Sequence, residues 1–429
     1  MSNMKKISAG EFLVRSFVII YFISYITRLN FNAVLAEIIS IGVMSKTEAG
    51  LVGTGLFIAY GVGQLISGFL GDRIKPQLLI GFGLGLTSVC NLLMPMLDAV
   101  PLFVAVWAVN GFAQAMMWPP MVKLMTDHLD KNGYSKGCVM ITASSQIATV
   151  AIYILLVPLC LRFLDWRGAF WIPSACAAVI LVVWYFVYRE IARRAAAEKG
   201  AVSEIASSGP ASPVEIRSEL SFGKMSVLAG LAFILVAIVL QGFLRDGLTS
   251  WTPTFLTEAF GLDTDSAIAL NVLLPLFSIV ALYSVGFLFR KFFRNELTLS
   301  ITLFAVGLVC CGVLSIFCER NAIVSLICAA LITACMHGIN LMLISYVPRH
   351  FGKYGKASTA SGVTNAFTYV GSAASSYGFA ALSDSLGWTK LVLVWGLVCL
   401  LGIAVLAINL KRWSTWSGES IRVGSEKLS

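Results

Sequence analysis

The sequence predicts an all-α membrane protein, with twelve transmembrane helices in two pseudo-symmetric six-helix bundles. Three observations predict it. Hydrophobic residues make up 58% of the chain and charged residues only 12%, about half the charge of an ordinary soluble domain. The charges fall in short clusters between apolar runs of about twenty residues, the length an α-helix needs to cross ~30 Å of hydrocarbon. Every backbone polar group must be satisfied internally there, so such runs are helices. Finally, residues of the first half recur in the second, in the same order and at nearly one offset: Arg28 and Arg245, Gly68 and Gly286, Tyr134 and Tyr354, Trp166 and Trp388. A duplicated unit explains the recurrence. Because six is even, the two copies share one topology.

The runs place spans at roughly 12–35, 48–70, 77–97, 101–124, 137–161, 168–188, 226–250, 266–289, 297–317, 321–346, 357–383 and 390–410. With the N-terminus inside, Lys and Arg crowd the cytoplasmic segments, and the outer loops hold only Lys46, Arg162, Arg167, Arg320 and Lys390. That asymmetry expects both termini in the cytoplasm and the protein in the plasma or inner membrane. The basic start MSNMKKISAGEF runs into a full-length span without a small-residue cleavage site, so it reads as the end of span 1 and not as a signal peptide. Residues 1–188 are expected to form the N-terminal bundle and 225–429 the C-terminal bundle with a short cytoplasmic tail. Between them, 189–224 mixes charges around a Ser/Pro/Gly-rich core, the composition of a solvated linker. Matched helix starts follow spans 1 and 7: SKTE at 45–48 is a capping box, and Asp263 precedes Ser266 as a cap.

The net charge of +9 does not mark a nucleic-acid binder, because the basic residues follow the membrane asymmetry and form no stripe with interleaved aromatics. The ten cysteines contain no CxxC pair, and Cys90, Cys176, Cys328 and Cys399 lie inside apolar runs, so neither a disulfide framework nor a metal site is expected. The chain shows no nucleophile–base pair, metal cluster or phosphate loop, which argues against an enzyme and against a cofactor. The expected partners are a small anionic substrate, a counter-anion and the lipid bilayer, with the protein a monomer.

Arg28, in FISYITRLNFNAV, and Arg245, in VLQGFLRDGLTSW, fall near the middle or outer half of the bilayer. Arginine there costs from ~2.5 to well over ~10 kcal/mol. Each could snorkel or pair with a neighbouring carboxylate for structure alone. Their equivalence across the repeat favours a sharper reading, in which two planar forks of donors face a central cavity and bind phosphate or carboxylate. Asp246 is the exception among spans nearly devoid of acids. It adjoins Arg245 and diverges from it by about 100° on a helix, so it reads either as a coupling residue or as a counter-ion that neutralises Arg245 only in part. Tyr25 shares a helix face with Arg28, and Tyr60 and Tyr369 are weaker candidates. Gln64, Gln146, Asn340 and Asn365 are either cavity hydrogen-bonders or interhelical glue.

GFLGDRIK at 68–75 holds Gly68, Asp72 and Arg73, read as a gating turn in which Asp72 caps a helix N-terminus of the other half, or else as an ordinary positive loop. Pro119 and Pro120 break span 4, and Trp251-Thr-Pro253 is expected to end span 7. Spans 5 and 11 are rich in small and hydroxyl residues, suited to close, sliding contacts. His128 and His350 read as loop residues and His337 as structural.

GxxxDR after span 2, with twelve spans and a central loop, resembles the major facilitator superfamily. TRLNFN in span 1, AYG before GxxxDR, WPP followed by a basic residue, and LRDGLTSWTPTFL in span 7 resemble, within it, the organophosphate:phosphate antiporters. The resemblance covers all but the linker and tail. It implies that Arg28 and Arg245 clasp a phosphate, and that a phosphorylated metabolite is exchanged for phosphate by alternating access. The chain departs from the glycerol-phosphate carriers of that family, whose span 2 lysine and span 5 histidine become Gln64 and Gln146. The family's DW in span 7 is here Ser250-Trp251, with an acid instead at Asp246. Two other readings stand beside exchange: proton- or sodium-coupled symport of a carboxylate such as a sugar acid, and a transporter-like membrane sensor.

Overall fold

Caps and prolines punctuate the apolar runs into helices. Ser45 and Glu48 form the reciprocal capping box that starts α2, and Asp263 accepts from the Ser266 amide at 2.8 Å. In this computed structural model residues 8–206 and 221–418 are described; the Ser/Pro/Gly-rich part of the linker, the first seven residues and the tail from 419 lie outside them. The helices used below are α1 (Ala9–Ala33), α2 (Lys46–Gly71), α3 (Pro76–Leu93), α4 (Val100–Ala115), α5 (Trp118–His128), α6 (Lys131–Ala151), α7 (Val157–Phe163), α8 (Gly168–Ala206), α9 (Leu231–Phe260), α10 (Leu273–Lys291), α11 (Glu296–Phe317), α12 (Ala322–Asn340), α13 (Ala357–Leu386) and α14 (Trp388–Ser417). Of these, α4 with α5, and α6 with α7 through a π-helical turn at Ile152–Leu156, each make one crossing.

Among the described residues eleven helices are long and apolar enough to cross a membrane. The twelfth is α13. Its 30 residues suffice in length, but Ser, Thr, Asn and Gly dilute its apolar content. The result is the twelve-helix, two-bundle fold. By internal packing the chain divides into residues 1–218 with 351–362, and residues 219–350 with 363–429.

In the first unit, Phe31, Trp107, Phe170 and Trp166 form a chain of ring contacts within a dry core. Beside it runs a buried polar network. Gln114 donates to the hydroxyls of Thr27 at 2.8 Å and Thr87 at 2.9 Å, while Asn91 and Asn110 both donate to the Thr27 carbonyl, at 3.0 and 3.1 Å. Asn30 donates to Asn91 at 2.7 Å and to the carbonyl of Ala169 at 2.8 Å. That carbonyl lies one turn before Pro173, whose ring supplies no N–H to it. The asparagine therefore fills a gap left by the proline.

The second unit repeats the device. Pro253 was expected to end span 7, yet α9 runs through it to Phe260 and stops at Gly261 (φ +68°). The carbonyl that Pro253 deprives, that of Thr249, accepts from the Asn271 amide at 3.1 Å, so the helix continues without an orphan acceptor. Glycines bring α9 and α13 together: a Cβ on Gly242 would meet the Thr368 carbonyl at 2.5 Å, and one on Gly371 would run into the Val239 carbonyl. His350, expected in a loop, sits in the 3-10 turn Val347–Tyr354, and its Nε2 meets Glu296 at 2.8 Å beneath Trp413.

The sixth span is extended by a helical arm. Helix α8 continues past residue 188 to Ala206, supported by Glu190, which accepts from both Arg193 and Arg194 at 2.8 Å.

Candidate functional site

The polar network fixes the rotation of α1. Ser24, Thr27 and Asn30 lie three residues apart on one face, and all three are engaged by Gln114, Asn91 and Asn110. One residue on from Thr27, Arg28 is turned by about 100° from that face. Its guanidinium carbon lies 4.0 Å from the ring centroid of Tyr25 and 5.1 Å from that of Tyr60, with only 9% of the residue exposed. Aromatic faces hold a desolvated cation through the ring quadrupole. The structure therefore brings Arg28, Tyr25 and Tyr60 together.

Gln64, one turn along α2 from Tyr60, is fully buried, and neither end of its amide has a hydrogen-bond partner among the described residues. Gln146, on α6, is also buried, and Asn340 and Asn365 lie on α12 and α13 of the second unit. These three make no side-chain hydrogen bond among the described residues. Asn340 immediately precedes the π-helical segment Leu341–Tyr346, a backbone irregularity common at functional sites.

In the second unit Arg245 has a different companion. Its Nε donates to Asp246 Oδ1 at 2.6 Å and its Nη2 to Oδ2 at 2.8 Å. The two residues diverge at the helix surface, but the long arginine side chain curls back, so the contact is bidentate. Ser372 of α13 adds its hydroxyl to the same carboxylate. Gln241, one turn before Arg245, donates to the Met336 carbonyl of α12 at 3.1 Å. His337 follows Met336 on α12. The sequence marked His337 as structural and missed Ser372. The only signal for the serine was the GSAASS run.

At the turn after α2, Asp72 does cap a helix N-terminus. Its carboxylate accepts from the Ser358 amide at 3.0 Å and the Thr359 amide at 2.8 Å, at the start of α13, where a lysine side chain at 356 offers no capping acceptor. Burial raises the Asp72 carboxyl above its usual range, opposed by the bonds from Thr359 and Ser358 and by the charge of Lys123. Gly68 lets the segments approach: a Cβ there would meet the Ser358 carbonyl at 2.8 Å and Gly362 Cα at 2.9 Å. Arg73 lies with its guanidinium carbon 3.5 Å from the Phe69 ring centroid.

A family model described as Major Facilitator Superfamily matches residues 17–376. A probable hexose phosphate transport protein of Chlamydia trachomatis is 25% identical over 413 residues, covering 91% of this chain and 87% of its own. The glycerol-3-phosphate transporter of Bacillus subtilis is 26% identical over 410 residues, covering 91% and 89%. Among solved structures, the proton:xylose symporter XylE superposes with a TM-score of 0.71 at 13% identity, over 96% of this chain and 97% of that one.

Proposed function

The chain belongs to the Major Facilitator Superfamily, and within that family we propose that it is a secondary carrier of a small phosphorylated organic anion. The observation that carries this reading is the pair of largely buried guanidiniums, Arg28 and Arg245, at equivalent places in the repeat. An arginine inside a span is costly and by default marks a functional site, and a planar fork suits a phosphate. The named relatives, a hexose phosphate and a glycerol-3-phosphate transporter, support the phosphate ester over other anions.

In this proposal both arginines bind the anion. Tyr25 and Tyr60 position Arg28, and Gln64, Gln146, Asn340 and Asn365 hydrogen-bond the organic part. The carrier works by alternating access, with phosphate as exchange partner. Residues 1–188 and 225–429 act as its two bundles, joined by the linker, with both termini cytoplasmic. Asp72 holds the start of α13 through two amides, and with Gly68 and Arg73 forms a gate that lets go as the carrier turns over.

Uptake of labelled glucose 6-phosphate into phosphate-loaded proteoliposomes tests the reading, with Arg28→Lys and Arg245→Lys alongside wild type. Uptake should fall by about 100-fold in Arg28→Lys, since a point charge does not replace a bidentate fork. Near-normal transport by both variants would sink it, and binding without flux would make the protein a sensor instead. The acid beside Arg245 favours a second reading, symport of a carboxylate coupled to protons or sodium. Uptake of a sugar acid driven by an imposed pH or sodium gradient, with no response to internal phosphate, would replace exchange with that reading.

A further inference from the structure

We infer that Asp246 is a built-in surrogate for the substrate anion: it occupies Arg245 in the empty carrier, is displaced by the substrate, and so lets the carrier return unloaded. The inference rests on the reading that Arg245 binds the anion, and it lowers the barrier to return without exchange at that half of the carrier.

The geometry is that of a bound ligand. Two carboxylate oxygens face two guanidinium nitrogens, at 2.6 and 2.8 Å, which is how an external carboxylate or phosphate would engage the same fork. The pair is not sealed. The Arg245 side chain is 14% exposed but that of Asp246 is 31% exposed, so a second anion can reach the fork from the acid's side.

Release is also prepared. A hydroxyl has a single proton, and that of Ser372 has two acceptors within reach, Asp246 and the Thr368 carbonyl at 3.0 Å. When the acid leaves, the hydroxyl turns to its own helix and no buried donor is orphaned. The charged and titratable groups felt by Asp246 are Arg245 and His337. Every group involved belongs to the second unit.

The functional consequence follows from desolvation. A bare guanidinium in a low-dielectric site disfavours passage of the empty carrier, and a carrier built on bare arginines returns only when loaded. Here the Arg245 site is neutral at rest, so that barrier is absent from its half of the cycle. The substrate must in turn compete with an internal ligand, which lowers its affinity.

The test compares net uptake of labelled glucose 6-phosphate into empty proteoliposomes, with the membrane potential clamped, against exchange into phosphate-loaded ones. It uses wild type, Asp246→Asn and Ser372→Ala, with binding of inorganic phosphate measured on each purified protein. Wild type should show net uptake within about tenfold of exchange. Asp246→Asn should bind phosphate about tenfold more tightly, the scale of one charge-assisted hydrogen bond, while its net uptake falls at least about tenfold relative to exchange. Ser372→Ala should shift both quantities the same way by a smaller factor. An unchanged affinity and an unchanged net-to-exchange ratio in Asp246→Asn overturn the inference, as does exchange without any net uptake in wild type. If Asp246→Asn does not fold, the same outcome in Ser372→Ala decides. A wild type that binds neither phosphate nor glucose 6-phosphate instead overturns the anion reading beneath it.

Discussion

Arg28 and Arg245 are counterparts in the repeat, yet their surroundings are opposites. The first lies against the faces of two tyrosines, which attract a cation without using its N–H edges. The second has those edges occupied by Asp246. Duplication thus preserved the position of the charge while its neighbours diverged. One site sets its guanidinium against two aromatic rings, and the other sets its guanidinium against a carboxylate.

The largest expected effect breaks this comparison at its centre. Arg28→Ala should weaken anion binding by more than Arg245→Ala, by about tenfold, because gain at Arg245 is offset by displacement of Asp246. Isothermal titration with inorganic phosphate measures both, and equal losses would mean that the two arginines are equivalent after all.

Next comes the scaffold of the aromatic-lined site. Asn91→Leu removes donors to the Thr27 and Thr87 carbonyls and the acceptor for Asn30, and should cost ~2–3 kcal/mol of stability. A drop in melting temperature, with phosphate affinity reduced alongside, would tie the rotation of α1 to Arg28. Smaller still, Tyr60→Leu should lose ~0.5–1 kcal/mol of anion affinity while Tyr60→Phe keeps most of it, since the aromatic ring lies against the guanidinium.

The smallest effect is a pH dependence away from both arginines. Burial raises the Asp72 carboxyl, so its stability contribution is complete below the ordinary carboxylate range and declines as pH rises through the folded value. Asp72→Asn should therefore gain on wild type in thermal stability as pH rises above the ordinary carboxylate range. Asp72→Ala, which loses the cap outright, should be less stable by ~1 kcal/mol.

The fold was legible because its signals are local. Ser45 with Glu48, and Asp263 with Ser266, announce helix starts within four residues, and a costly arginine is visible wherever it falls. The unread features depend on partners far along the chain. Pro253 looked like a stop because nothing near it shows that Asn271 would satisfy the Thr249 carbonyl. Asn30, Asn91 and Asn110 are isolated polar residues in sequence and become a network only when several helices meet. Asp246 misled for another reason: helical geometry separates neighbouring Cβ atoms, but arginine is long enough to cross that gap.

The hydroxyl-rich α13 bears on how the chain is made. Ser358, Ser361, Asn365, Thr368, Ser372 and Ser375 are buried along it at alternating steps of three and four, the spacing of one helical face. In lipid that face gains little, so the helix has a weak intrinsic drive to leave the translocation channel for the bilayer. Its close partners, α2 at Gly68 and α9 at Gly242, are both synthesised before it. Insertion of α13 thus becomes an act of assembly, in which a late, polar segment enters the membrane against surfaces that earlier helices have already laid down.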